Sequence, residues 1–433
     1  MKGFQHEMIA LPKHGGHDVV VIGAGLAGSC TALELARQGL KVALLDRDPT
    51  PMNRASRRNE GKIHLGLIYA ADPTFATAEL QLRGGLSFYP LLSRWIGDRV
   101  DSLETSSPFL YLVASDSILT PEQLQSHYEK VEQSYREQTA EDRSLTYLGT
   151  RPTSLARRIP LEKLDKRLNP SGLSAAFETN ELAIDTDQLA EQITQAIAAH
   201  ENIEFYAHHC VHEIDAKENG FVLSGESTGS SWSHQCEQVV NATWESRLIL
   251  DATLGLKPPP GWLYRLKYRV LARCPDRLRN APSTTMVLGR YGDVVMRPNG
   301  TAYLSWYPVG MQGWNDQLTP PSQWSDACQG DRLLHEPALA DQIIDGIKDW
   351  YPDIANCTPY QLDAGAIVAY GNTDVDDPDS GLHDRTQVGV SSVDGYHSVD
   401  PGKLTTAPFF AMQAAERVLS HASQPVTASS ALR

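Results

Sequence analysis

Gly23, Gly25, Gly28 and Asp46 are the residues whose types and spacing most directly specify chemistry. The glycines form G-x-G-x-x-G, and the acid stands 23 residues after the first of them. In this pattern the first glycine permits a tight turn and the second lets the backbone approach a pyrophosphate. The third lets a helix pack closely on a strand. Leu26 and Ala27 open that helix, where free N–H groups and the positive end of the helix dipole face the phosphates. Asp46 can accept hydrogen bonds from a ribose diol, and Arg47 follows it in the same expected site. A carboxylate at this point repels a 2′-phosphate, so NAD or FAD is expected rather than NADP.

Those residues need a strand, a turn, a helix and a second strand to hold them, and residues 18–46 read in that order. Asp18–Ile22 is a β-branched run. Ala27, Ala32, Leu33, Leu35 and Ala36 give a helical apolar face. Gly39 stands where a C-terminal cap belongs, and Val42–Leu45 reads as a second buried strand.

Beyond this unit the pattern predicts helices over 74–98, 121–139, 185–199, 333–350 and 407–420. Asp185 or Thr186 caps the third of them. Strands are expected near 62–68, 109–114, 176–182, in 203–229 around a turn at 217–220, and at 238–242. A run of antiparallel strands is expected within 257–310, with further strands at 363–370 and 387–391. Residues 392–406 read as a loop. The fold class is therefore α/β, α+β overall. A discontinuous Rossmann-like domain is expected from 15–90, 185–252 and 370–425. A second domain, built on an antiparallel sheet, is expected from 91–184 and 253–369.

Composition narrows the partners. A net charge of −15 with no offsetting basic block argues against nucleic acid. The six cysteines form no C-x-x-C pair and show no metal-ligand spacing, so no metal site is expected and the thiols read as reduced. With no apolar leader in the first residues and no 18-residue apolar run, a cytoplasmic protein without a transmembrane segment is expected. Oligomeric state is open.

Several further segments carry a resemblance. SRRNEGKIHLGLIY (56–69) follows the acid-terminated strand, and LAIDTDQLAEQI (182–193) re-enters the first domain. FYAHHCVHEIDA (205–216), QVVNAT (238–243) and GYHSVDPGKLTTAPFFAMQAAERV (395–418) complete the set. With the fingerprint they resemble the D-amino-acid oxidase-like family of FAD-dependent oxidoreductases. The Gly-Lys-x-Thr-Thr run is closer to its glycerol-3-phosphate dehydrogenase and 2-hydroxyglutarate oxidase branches than to sarcosine oxidases. Where the family often has Ala-Ala-Gly, this chain has Ala242-Thr243-Trp244.

The resemblance implies a bound FAD. It places Val211, Asn241, Ala242 and Thr243 on strands near the adenine side and the flavin, and Gly61, Lys62 and His64 beside the isoalloxazine ring. Ser56, Arg57, Arg58 and Asn59 offer donors for phosphate or ribityl oxygens, or form a solvated basic loop. Lys62 can stabilise charge on a reduced flavin, and His64 can act as base, carboxylate binder, flavin neighbour or plain core histidine. Gly402, Lys403, Leu404 and Thr405 precede a helix and can present N–H groups to the flavin carbonyl end. Tyr396, His397 and Ser398 are candidates to face substrate. On one predicted strand Arg265, Lys267 and Arg269 alternate onto one face. With Tyr303, Trp306 and Tyr307 they form either a pocket for a carboxylate or phosphate, or a solvated outer face. The implied function is hydride transfer from a C–H next to an amine or hydroxyl of a small substrate. The alternatives are a flavin monooxygenase and a flavin-binding partner protein without turnover.

Overall fold

The computed structural model describes residues 16–422. The N-terminal stretch read as lacking an apolar leader, and the polar C-terminal tail, lie outside them. The opening strand Val19–Ile22 sits inside a six-stranded sheet of order 389–393, 396–400, 239–241, 19–22, 42–45, 203–206. All neighbours run parallel except the outermost, 389–393. Alternation along the strands serves two cores. Val19, Val21, Val42 and Leu44 pack toward the helices, among them Leu26–Arg37 and Ala407–Ala422. Val20, Ile22, Ala43 and Leu45 pack toward Ile214, Phe221 and Leu223 of a three-stranded antiparallel sheet spanning 209–236. Burial on both faces explains the uninterrupted apolar runs.

The fingerprint helix is buried almost all round, and even Glu34 is inside. Arg94 Nε lies 2.7 Å and Trp95 Nε1 2.8 Å from its carboxylate, so the buried charge is paired and ties this helix to Ala76–Ile96.

A nine-stranded sheet holds a second core, its strands drawn from 109–179 and 262–370. Trp262–Arg273 and Thr358–Tyr370 pair antiparallel along their length, from Trp262 against Tyr370 to Arg273 against Thr358. One pair, 109–114 with 283–287, is parallel. Among the described residues no helix is long and apolar enough to cross a membrane.

Three local expectations change. The strand expected over 62–68 shrinks to Lys62–Ile63, paired with Leu182–Ala183, because Gly66 turns left-handed and a 3-10 turn follows at Leu67–Tyr69. The loop expected over 392–406 contains a strand, Tyr396–Asp400. Asp394 and Gly395 both have positive φ and form the two-residue turn of a hairpin with Gly389–Val393, as Asp-Gly commonly does. Strands Ala156–Ile159, Ser230–Cys236 and Met311–Asn315 were not expected.

Candidate active site

The parallel strands end in a cleft that runs from the fingerprint to the nine-stranded sheet. It encloses about 1610 Å³ of space outside protein atoms, its open mouth included. At the first end, Gly23 holds φ at +92°, and a Cβ there would lie 2.7 Å from the Ala242 carbonyl oxygen. A Cβ on Gly28 would lie 1.9 Å from the Gly23 carbonyl oxygen. The glycines therefore let three backbone segments close on one another. Gly25 caps the helix without a side-chain acceptor, and no acid lies in the first turn, so the positive helix end stays available to an anion. Leu26 N–H donates to Ser56 Oγ at 2.9 Å, which docks the loop after Asp46 onto the same helix end.

Asp46 accepts from Ala24 N–H at 2.6 Å and from Asp48 N–H at 2.9 Å. Burial pushes its carboxyl up to about 6 against those two bonds. Around it stands a charged strap that the sequence reading did not contain. Arg47 pairs with Glu245, and Arg54 bridges Glu245 at 3.1 Å and Asp48 at 2.8 Å. Glu245 is buried, lines the cleft, and leaves Oε1 without a partner in the protein.

At the far end His64 and Lys62 line the cleft with Glu60, Lys267, Arg269, Tyr303 and Lys403. His64 Nε2 lies 3.7 Å from Glu60, and its buried Nδ1 has no protein partner. Burial opposes ionisation of Glu60, but His64, Lys267 and Lys403 outweigh it and hold the carboxyl well below its ordinary range. Burial pushes Lys403 down to about 8; Glu60 acts against this, and Arg385, Lys267 and Arg265 act with it. Burial followed by Arg265 pushes Arg385 down to about 10. These shifts describe a region where the cations His64, Lys267, Lys403, Arg265 and Arg385 act around two carboxylates, Glu60 and Asp293. Lys62 is held by the second carboxylate of that region, Asp293, which is also 4.0 Å from Lys267: the Lys62 Nζ lies 3.0 Å from Asp293, donates to Thr285, and sits 4.0 Å above the Phe109 ring. Arg269 is held by Asp363 at 2.6 Å.

Of the expected residues, Gly23, Gly25, Leu26, Ala27, Asp46, Arg47, Ser56, Asn59, Lys62, His64, Val211, Ala242, Thr243, Gly402, Lys403 and Leu404 line this one cleft, as does Arg58. Gly28, Arg57, Gly61, Asn241 and Thr405 do not. Arg57 points outward to Asp187. Asn241 turns into the core, donating to Tyr396 at 2.8 Å and Asp251 at 3.0 Å. Thr405 Oγ1 accepts from His64 N–H at 3.0 Å, so it positions the histidine from behind. Gly61 closes the chain against Ile184.

Tyr396, His397 and Ser398 belong to the buried strand, not the cleft wall; Ser398 donates to Asp251 at 2.8 Å. Lys267, Arg269 and Tyr303 reach the cleft, whereas Arg265, Trp306 and Tyr307 lie outside it. Arg265 and Arg269 are buried, so this face is not solvated. Trp244 takes a left-handed backbone with φ of 56°, and its Nε1 donates to Ala366 at 2.8 Å. That bond ties the departure at 242–244 to the nine-stranded sheet. The signals for Glu245 and Arg54 were a buried-acid position after a strand and a basic loop; their meeting needed the fold.

Comparison with known proteins follows the same lines. The family model described as "DAO: FAD dependent oxidoreductase" matches residues 18–417. Among solved structures, glycine oxidase from Geobacillus kaustophilus superposes with a TM-score of 0.65 at 16% identity, covering 97% of this chain and 98% of that one. L-proline dehydrogenase from P. horikoshii gives 0.66 at 14% identity over 95% and 94%. L-alpha-glycerophosphate oxidase from Mycoplasma pneumoniae, with FAD bound, gives 0.60 at 17% identity over 97% and 98%. Among curated proteins, a tRNA 5-methylaminomethyl-2-thiouridine biosynthesis bifunctional protein of Pseudomonas putida is 47% identical over 53 residues, 12% of this chain and 8% of the relative. The kynurenine 3-monooxygenase of Salinispora tropica is 53% identical over 49 residues, 11% of each chain. The chain thus matches only about a tenth of the length of these curated relatives.

Proposed function

The chain belongs to the DAO family of FAD-dependent oxidoreductases, and from that premise we propose that it oxidises a small anionic substrate at a C–H next to an amine or hydroxyl. FAD fits the residues present: the side-chain-free contacts at Gly23 and Gly28, the open helix end and Asp46 suit its ADP half. Lys403, Leu404 and Gly402 border the other end of the cleft, with His64 opposite in sequence and held by Thr405. When bound, FAD supplies a two-electron acceptor for the substrate C–H.

The observation that carries the substrate class is the excess of cations around Glu60. Lys267 and Lys403 face one cleft beside Glu60, and Lys267 also lies 4.0 Å from Asp293. A carboxylate or phosphate brought there gains charge-assisted hydrogen bonds and offsets the repulsion that Arg385, Lys267 and Arg265 exert on Lys403. His64, with an unpaired Nδ1 and Glu60 near Nε2, is placed to accept a proton from the substrate amine or hydroxyl and to pass positive charge toward Glu60. The relatives named above as oxidases and dehydrogenases of glycine, proline and glycerophosphate are in keeping with amine- and hydroxyl-bearing anions.

The test is anaerobic addition of amino acids, hydroxy acids and phosphorylated polyols to the yellow protein, followed by air. Bleaching by an anionic member of the panel supports the proposal, and recovery in air identifies oxygen as acceptor. Bleaching only by uncharged compounds refutes the anion site. Oxidation of NADH or NADPH without such bleaching points to a monooxygenase instead.

A further inference from the structure

Two of the six cysteines meet at the end of the longest strand pair. Cys274 follows Trp262–Arg273, and Cys357 precedes Thr358–Tyr370. Arg273 faces Thr358 in the antiparallel register, so the next facing pair outward is Cys274 with Cys357. Their Sγ atoms lie 2.9 Å apart. Neither amide bonds across the pair: Cys274 N–H donates to Gly300 and Cys357 N–H to Ile354, each at 2.9 Å. Facing residues not joined by ladder bonds have Cα atoms about 4.5 Å apart, a separation a disulfide spans.

The two thiols differ in exposure, and access sets the order of two successive steps. Cys274 is partly exposed and Cys357 is buried. The hydrogen bond to Cys274 holds the Cys357 thiol below its ordinary range against burial, with Arg277 helping, while the same bond pushes Cys274 up. The pair therefore loses its first proton as a unit. Cys30, by contrast, is deeply buried, and burial alone pushes it well up.

We infer that Cys274 and Cys357 form a thiol–disulfide modification site for small disulfides of the glutathione class. The pair attacks in its singly deprotonated form through the partly exposed Cys274 sulfur, with the remaining proton shifted onto Cys357, and this sulfur strikes one sulfur of R–S–S–R. A Cys274–S–S–R bond forms, the R–S–S–R bond breaks, and RS⁻ leaves. Cys357 gives its proton to solvent and attacks the Cys274 sulfur, releasing the second RS⁻. Two electrons pass from the protein thiols to the small disulfide, and the two released protons match the two thiolates expelled. The new bond joins residues 83 apart in sequence. The enclosed segment carries Tyr303, and the strands it anchors carry Lys267, Arg269 and Gly365–Ile367 of the cleft. Oxidation thus staples the sheet that forms one wall of the site, whatever the substrate proves to be.

The experiment exposes the flavin-loaded full chain to oxidised glutathione, then counts thiols by alkylation and maps peptides. Two thiols should disappear, the intact mass should fall by two hydrogens, and one peptide pair should join Cys274 to Cys357. Reductant should reverse this, and the oxidised form should melt higher with unchanged flavin content. C357S should stop at one glutathione on Cys274, and C274S should lose no thiol pair. The inference is overturned if all six thiols survive conditions that oxidise a control dithiol, if the bond joins other cysteines, or if the unaltered chain stops at the mixed disulfide.

Discussion

Burial lifts Asp46 to about 6, while the N–H groups of Asp48 and Ala24 pull the other way. The folded chain therefore holds a proton there more readily than the unfolded chain. That contribution to stability is complete below the ordinary carboxylate range and is lost as pH rises through about 6. A ribose diol needs the ionised acceptor, so flavin retention runs in the opposite sense and should strengthen as pH rises through the same window. Asp46→Asn keeps an acceptor for Ala24 N–H but loses the charge. A hydrogen bond to a charged group contributes about 1.5–3 kcal/mol, so flavin should bind roughly tenfold to a hundredfold more weakly. The pH dependence should also flatten. Flavin fluorescence after ultrafiltration at pH values on either side of that window measures both effects; a variant that keeps the pH step assigns it to another group. Lys403 works with the reverse sign. Burial first, then its neighbouring cations, set it near 8, so anion binding should be full below that value and fall above it. Lys403→Met should weaken binding of the anion identified by bleaching about tenfold, equivalent to about 1.4 kcal/mol. It should also remove the alkaline step, read from flavin absorbance during titration.

At the scale of elements, the fingerprint turn is where sequence and structure correspond most closely, because each glycine has a separate steric task. Gly23→Ala puts a Cβ 2.7 Å from the Ala242 carbonyl at a φ of +92°, a combination of clash and left-handed strain that costs about 1–3 kcal/mol. The variant should lose flavin on purification and melt lower; full flavin content with an unchanged melting temperature would show that the strand carrying Ala242 yields freely. Buried parallel strands were legible because both faces demand apolar residues, as Val19–Ile22 and Val42–Leu45 do. Tyr396–Asp400 was missed because its polar side chains are satisfied internally by Asp251 and Arg247, a network that joins residues some 150 positions apart in sequence. The Asp394-Gly395 turn was the available signal. Ser230–Cys236 escaped because it is polar on most positions and stands at a sheet edge.

Across the whole molecule, the cleft is built by two sheets whose contributing segments alternate along the chain, and this limits what the sequence could reveal. Residues tied to a motif were legible: most of the expected cofactor set lines one cleft. Residues whose meaning depends on a distant partner were not. Glu245 acquires its place from Arg47 and Arg54, and Arg57 departs to Asp187 although its neighbours Ser56 and Arg58 stay. Lys62 is the sharpest case. Its segment suggested a role in chemistry, yet its amine is 3.0 Å from Asp293 of the nine-stranded sheet, and its side chain is 1% exposed. Burial alone would raise Asp293, but Lys62 and Lys267 outweigh it and hold the carboxyl below its ordinary range. The stabilisation is therefore present above the ordinary carboxylate range and is lost as pH falls through the lowered value. Asp293→Asn leaves a buried ammonium without its counter-ion, which should cost about 3–5 kcal/mol in urea unfolding near neutral pH. Lys62→Met combined with Asp293→Asn removes both charges and should recover part of that loss. If the double variant is stable and its flavin is still bleached by substrate at close to the normal rate, Lys62 is a tie from its own two-stranded ribbon to the nine-stranded sheet. If stability recovers but bleaching is lost, Lys62 takes part in the chemistry, as its segment first suggested.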